Sequence, residues 1–162
     1  MLAIKRILLP TDFSKYSEYA FRLACSLARD YGARLLVLHV AEAPTAIYGE
    51  GVVLPPPDAF WKQAGEKLNR IQPRHANIAV EHLLVEGDVA AEILRVAREA
   101  NSDVIVMGTH GRSGLSRVVM GSVAEQIVRR SPCPVVTVRA QQTTEADVET
   151  VEEEPSVGMA SA

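Results

Sequence analysis

The sequence predicts an α/β fold, a parallel sheet covered by helices on both faces. Two observations predict it. Five short apolar runs alternate with stretches whose apolar residues recur at steps of three and four. The runs are also nearly continuous in apolar residues rather than alternating, as in strands buried on both faces. Right-handed crossovers then leave few topologies for the chain.

The first run, Ile4 to Leu9, reads as a strand that stops at Pro10. Ser14 is placed to cap a helix closed by Gly32, with Tyr16, Tyr19, Ala20, Leu23, Ala24, Leu27, Ala28 and Tyr31 inward. Leu35 to Val40 is a second strand, interrupted only by His39. Residues 42 to 57 hold Gly49, Gly51 and three prolines from Pro55 to Pro57, and read as a loop. Asp58 starts a second helix with Phe60, Ala64, Leu68 and Ile71 inward, ended by Pro73. Ile78 to Val85 is a third strand in which Glu81 and His82 break the apolar pattern, marking an edge or a half-exposed face. Gly87 and Asp88 open a third helix that buries Ile93, Leu94, Ala97 and Ala100. Val104 to Met107 is the fourth strand, Ser122 to Arg130 the fourth helix, stopped by Ser131-Pro132, and Val135 to Val138 the fifth strand.

At 162 residues the chain fits one domain, residues 1–140, followed by an acidic segment, 141–162. That segment lacks aromatics and is expected to be disordered or loosely attached. Beyond Arg139 stand Glu145, Asp147, Glu149, Glu152, Glu153 and Glu154, with no Lys or Arg. The net charge of −3 therefore misleads. Without those six acids, seventeen basic residues face fourteen acidic ones, a mildly basic body. Such a body suits an anionic small ligand and falls well short of a nucleic-acid-binding surface. Cys25 and Cys133 lie far apart without metal-ligand spacing and read as reduced thiols of a cytoplasmic protein, with a disulfide the lesser alternative. The apolar run after Lys5 and Arg6 is too short for a signal peptide, and no segment nears the roughly 20 apolar residues that span a bilayer. No membrane and no nucleic acid is expected as a partner.

The chemistry concentrates between Val104 and Arg139. The apolar run Val104–Met107 ends in Gly108-Thr109-His110-Gly111, and after nine intervening residues Gly121-Ser122 begins a helical pattern. Glycines permit close backbone approach, and a helix N-terminus offers free N–H groups with a favourable dipole, so this arrangement makes room for phosphate. In open sheets of this kind ligands bind beyond the carboxyl ends of the strands where the winding reverses. The first and fourth strands mark that place, which brings Pro10-Thr11-Asp12 to the same crevice. Asp12 is suited to accept from a ribose hydroxyl or to hold a divalent ion on the phosphates, or else serves as a turn acid. His110 is the histidine placed to reach a ligand, the alternative being a solvated loop residue. Arg112 and Arg117 are candidate phosphate clamps or simply exposed. His39 reads as a satisfied strand-end residue, and His75 and His82 as surface positions. Ser122 and Glu125 spell a capping box that would satisfy helix donors without any ligand.

Several chemistries find no support. There is no Gly-x-x-x-x-Gly-Lys-Ser/Thr, no Gly-x-Gly-x-x-Gly after the first strand, no zinc-site histidine pair and no Gly-x-Ser-x-Gly elbow.

Gly108-x-x-Gly111, nine residues, then Gly121-Ser122 resembles the nucleotide motif of the universal stress protein family. The likeness runs from residue 1 to about 140 and includes Ile7-Leu8-Leu9-Pro10-Thr11-Asp12, Leu38-His39-Val40, Gly87-Asp88 and Ser131-Pro132-Cys133-Pro134-Val135. It implies a Rossmann-like, five-stranded parallel sheet in the order 3-2-1-4-5, a cytoplasmic location and usually a homodimer. It also implies ATP across the first and fourth strands. Pro10, Thr11 and Asp12 would line the adenosine, with Val40 reading adenine through its backbone. Met107, Gly108, His110 and Gly111 would follow the ribose and phosphates, and Gly121, Ser122 and Val123 would hold the phosphate end. Dimerisation has separate physical support, because a last strand reading Val-Val-Thr-Val is an apolar edge unless a second copy covers it.

The leading expectation is an ATP-binding, cytoplasmic stress-response switch or sensor, with ATP or another adenine nucleotide, accompanied by Mg²⁺, as its ligand. Two other classes stay open at this point. One is a slow ATP hydrolase or phosphoryl-transfer enzyme that holds Mg²⁺ on Asp12. The other is an interaction or chaperone-like module whose glycines only make turns. Cyclic AMP or another adenylate also stays open.

Overall fold

Five strands form one parallel sheet in the computed structural model, which describes residues 3–42, 46–48, 52–54, 57–74, 77–109 and 120–139. In chain order the elements are β1 (Arg6–Pro10), α1 (Lys15–Tyr31), β2 (Arg34–Ala41), β3 (Ala46–Tyr48), β4 (Val52–Leu54), α2 (Asp58–Asn69), β5 (Val80–Glu86), α3 (Val89–Glu99), β6 (Val104–Gly108), α4 (Ser122–Arg130) and β7 (Val135–Val138). The main sheet has the order β5-β2-β1-β6-β7, with every pair parallel. Counting only its own strands, that is 3-2-1-4-5. The winding reverses between β1 and β6.

Continuous apolar strands need cover on both faces, and they have it. Ile7, Leu9, Leu35, Val37, Val104 and Val106 pack with residues of α1 and α2 on one face. Leu8, Leu38, Val40, Ile105 and Met107 pack with α3 and α4 on the other. Successive residues of β1 thus serve opposite cores, as a strand's two-residue period requires.

α1 rests on the sheet through small residues. Ser17, Ala20, Ala24 and Ala28 are its buried positions, whereas Leu23 is 36% and Tyr31 52% exposed. The sequence reading placed Leu23 and Tyr31 inward, and the structure corrects this. A stripe of small side chains lets the helix axis come close to the strands, so larger neighbours are left at the flanks. The closest approach is at Gly108, where an added Cβ would lie 2.9 Å from Tyr16 Cβ and 3.0 Å from its carbonyl carbon. Ser14 caps α1 by accepting from the Ser17 N–H at 3.3 Å, and Gly32 ends it in the left-handed region at φ 64°.

Other differences have local causes. Residues 42–57 are not all loop, since β3 and β4 pair as an antiparallel hairpin with Tyr48 opposite Val52. The flanking prolines hid a hairpin signal, β-branched residues on either side of Gly49-Glu50-Gly51. His82 is half-buried rather than a surface residue, and its Nε2 donates to the Ile71 carbonyl at 2.8 Å. Its strand β5 is an edge, as the mixed pattern of Glu81 and His82 implies, and β7 is the other edge.

Asp103 ties the two halves of the chain together. Its Oδ2 accepts the N–H groups of Lys5 at 2.8 Å and Arg6 at 2.9 Å. The Lys5 N–H holds this carboxyl below the usual range. A depressed folded-state pKa adds stability that is present above the ordinary carboxylate range and is lost as pH falls through the folded value. Asp103→Asn is therefore expected to lower the melting temperature at neutral pH and to flatten its decline on acidification. A wild-type acid limb in the variant would contradict this.

Candidate functional site

The carboxyl ends of β1, β2 and β6 open into a cavity of about 630 Å³. Its first rim is the turn after β1. The Thr11 N–H donates to the Leu38 carbonyl at 2.8 Å, which extends the sheet ladder by one residue. The Thr11 hydroxyl donates to Ser17 Oγ at 3.1 Å, and Ser17 Oγ donates to the Ser14 carbonyl at 2.8 Å. Asp12 Oδ1 accepts the Ser14 N–H at 3.0 Å. Between them Phe13 adopts φ 63°, a left-handed conformation that a bulky side chain rarely holds without support.

Support comes from His39. This buried residue of β2 sets Nδ1 2.7 Å from the Thr11 carbonyl oxygen, and its ring lies 4.3 Å from the Phe13 ring, centroid to centroid. Because a carbonyl only accepts, Nδ1 carries the proton. His39 therefore clamps the turn that presents Asp12 to the cavity. His39→Asn, whose amide N–H can stand in for Nδ1–H, is expected to keep the turn. His39→Leu should release it at about 1–3 kcal/mol in stability, the cost of stranding a buried carbonyl. Urea midpoints of the two variants check this, and equal midpoints would remove the clamp.

The second rim joins β6 to α4. The Thr109 N–H donates to the Val138 carbonyl at 3.0 Å, and the Gly121 N–H donates to the Thr109 carbonyl at 2.9 Å. Gly121, not Ser122, is the N-cap of α4, with φ −60° and ψ 151° and no side-chain cap. The expected capping box is therefore absent. Ser122 sits one residue too far into the helix to cap it, and Glu125 pairs with Arg129 at 3.1 Å. The consequence favours an anion. The first-turn N–H groups of α4 lack the side-chain acceptor that the sequence had assigned to them.

Of the eleven residues expected at the site, the structure brings nine to this cavity. Pro10, Thr11 and Asp12 line it from β1, Val40 from β2, Met107 and Gly108 from β6, and Gly121, Ser122 and Val123 from α4. His110 and Gly111 lie outside the described residues, as do Arg112 and Arg117. Gly108 also lies under α1, where an added Cβ would meet Tyr16.

The sequence reading missed a whole wall. Phe60, Gln63, Ala64 and Lys67 of α2 line the cavity, and Val89 and Ile93 of α3 face them. Positions 60, 63, 64 and 67 form one helical face, so the signal was present. It was read only as core, because Ala64 and Leu68 are buried. Neither thiol takes part. Cys25 and Cys133 are free, and burial raises both above the ordinary thiol range.

Residues 3–139 match the model of the universal stress protein family. The chain belongs to the universal stress protein family. A universal stress protein of Methanocaldococcus jannaschii is 30% identical over 139 residues, covering 83% of this chain and 82% of its own length. A protein of the universal stress protein family from Burkholderia pseudomallei is 32% identical with a TM-score of 0.67, covering 85% of this chain and 98% of its own. Two further structures share the fold. One is a universal stress protein in complex with cAMP (TM-score 0.57, 24% identity, 84% of this chain and 97% of its own). The other is the universal stress protein from Archaeoglobus fulgidus in complex with dAMP (TM-score 0.60, 23% identity, 85% and 98%). Among the described residues no helix is long and apolar enough to cross a membrane.

Proposed function

We propose that this universal stress protein binds ATP or another adenine nucleotide, with Mg²⁺, and acts as a cytoplasmic switch or sensor whose molecular activity is the binding itself. One observation carries the reading. The start of α4, without a side-chain cap, lines a 630 Å³ cavity at the point where the sheet's winding reverses. Adenine nucleotides in two solved members of the family agree with that choice of ligand. Adenosine would lie against Pro10 to Asp12 and the Val40 backbone, the ribose and phosphates along Met107, Gly108, His110 and Gly111, and the phosphate end on Gly121, Ser122 and Val123.

The donor set fits an ion that arrives with phosphates. Among the described residues no group of three or more His, Cys, Asp or Glu side chains could hold a metal. Mg²⁺ bound through a nucleotide needs only one or two carboxylates, and Asp12 lines the cavity. Pairing of two copies along the exposed edge of β7 would give the homodimer and cover Val135–Val138.

The test is chromatography of whatever small molecule the denatured, purified protein releases, together with the melting temperature in Mg-ATP. An adenine nucleotide in the eluate and a raised melting temperature are expected. No released nucleotide and an unchanged melting temperature would sink the reading. Single-turnover phosphate release that disappears in Asp12→Ala would move the protein to the hydrolases.

A further inference from the structure

We infer that Gln63 of α2 selects the base of the ligand, its carboxamide pairing with the amine of adenine and the ring nitrogen next to it; the assignment rests on the nucleotide reading above. The cavity has two ends. α4 packs against β7 and α3, whereas α2 packs against β2 and β5 at the other side of the sheet. The phosphate end, at the start of α4, is therefore the end remote from α2. The adenosine end, which includes Val40 of β2, has Phe60, Gln63, Ala64 and Lys67 beside it.

The chemistry of that end singles out Gln63. A base is told from its analogues along its edge, by a donor and an acceptor held side by side. Phe60, Ala64, Val89 and Ile93 offer neither. The Thr11 hydroxyl donates to Ser17 Oγ, which donates to the Ser14 carbonyl. Asp12 Oδ1 accepts the Ser14 N–H, and His39 Nδ1 holds the Thr11 carbonyl. Lys67 only donates. Gln63 carries both functions in one planar group, is exposed on the cavity wall, and makes no hydrogen bond among the described residues.

The geometry assigns the edge. Adenine has two donor–acceptor edges that share the N6 amine, N6 with N1 farthest from the ribose and N6 with N7 to one side. The Leu38 carbonyl turns toward β1, where it accepts the Thr11 N–H at 2.8 Å. The two-residue period turns the Val40 backbone the same way, beyond the last paired residue of β1, Pro10. A base filling that space would present its ribose-distal edge to Val40, and the N6–N7 edge falls to the side chain of α2. Guanine offers two acceptors there, O6 and N7, so the carboxamide oxygen would face a lone pair.

The experiment titrates the full chain with ATP, 7-deaza-ATP and GTP in the presence of Mg²⁺, and repeats this for Gln63→Leu and Gln63→Glu. An exposed helical position accepts either residue without loss of the fold. The unaltered chain is expected to bind ATP about fivefold more tightly than 7-deaza-ATP, the worth of one hydrogen bond, and to bind GTP more weakly than ATP. Gln63→Leu should bind ATP about tenfold more weakly and no longer tell it from 7-deaza-ATP. Gln63→Glu, whose carboxylate accepts from N6 but repels N7, should prefer 7-deaza-ATP to ATP. A Gln63→Leu variant that still favours ATP over 7-deaza-ATP as the unaltered chain does overturns the assignment. So does a preference for GTP that Lys67→Met removes, which would pass the reading of the base to the ammonium. Binding of all three without discrimination overturns Gln63 and leaves the nucleotide reading standing. If the unaltered chain binds none of them, the nucleotide reading fails and this assignment with it.

Discussion

Gly121→Val is expected to lower Mg-ATP affinity by about 100-fold while the protein stays folded. The backbone at Gly121, φ −60° and ψ 151°, is open to any residue, so valine meets no conformational bar. Replacing a favoured N-cap residue costs about 1 kcal/mol, or roughly 3 °C in melting temperature for a chain of this size. The isopropyl group, however, would stand over the first-turn N–H groups of α4. Losing two charge-assisted hydrogen bonds at about 1.5 kcal/mol each gives about 3 kcal/mol, hence the 100-fold. Calorimetric titration checks it. Unchanged affinity in a folded variant would show that nothing anionic rests on that turn.

Gly108→Ala should do the opposite, damaging the fold first. The new Cβ would come within 3.0 Å of the Tyr16 carbonyl carbon and 3.1 Å of its oxygen, both backbone atoms of α1 that cannot rotate aside. α1 must then lift from β6, which loosens the close packing of Ala20, Ala24 and Ala28 on the sheet. We expect a loss of about 2–3 kcal/mol, visible as a lower urea midpoint. A wild-type midpoint would mean that α1 accommodates the methyl group freely.

The two glycines show how far the sequence could be read. Both belong to one spacing pattern, and the pattern assigned them one purpose. Three-dimensional packing separates them: Gly108 is small because a helix crosses it, whereas Gly121 begins a helix at the rim of a cavity. The parallel sheet was legible because each strand advertises burial on both faces and each crossover admits one hand, whereas its order came with the family resemblance. Residues at the ends of β1 and β6 and at the start of α4 were legible because strand ends at the reversal point converge whatever the side chains are, whereas Val40 on β2 came with the family resemblance. The wall formed by Phe60, Gln63 and Lys67 was not, because apolar period alone cannot tell a helix face over a core from one over a crevice. The Ser122 cap failed on a one-residue shift in the helix start. Local pattern rarely resolves such a boundary.

The strand made first by the ribosome waits through much of synthesis for its second neighbour. β1 sits at the centre of the sheet, between β2 and β6, and its entry at Lys5 is bonded to Asp103, 98 residues later. At translation speeds of about 5–20 residues per second, one side of β1 stays bare for about 5–20 seconds. An unfinished polypeptide therefore has no crevice. Any ligand that stabilises the native state by mass action does so only for chains synthesised through β7, so it would favour complete molecules over truncated ones in the cell.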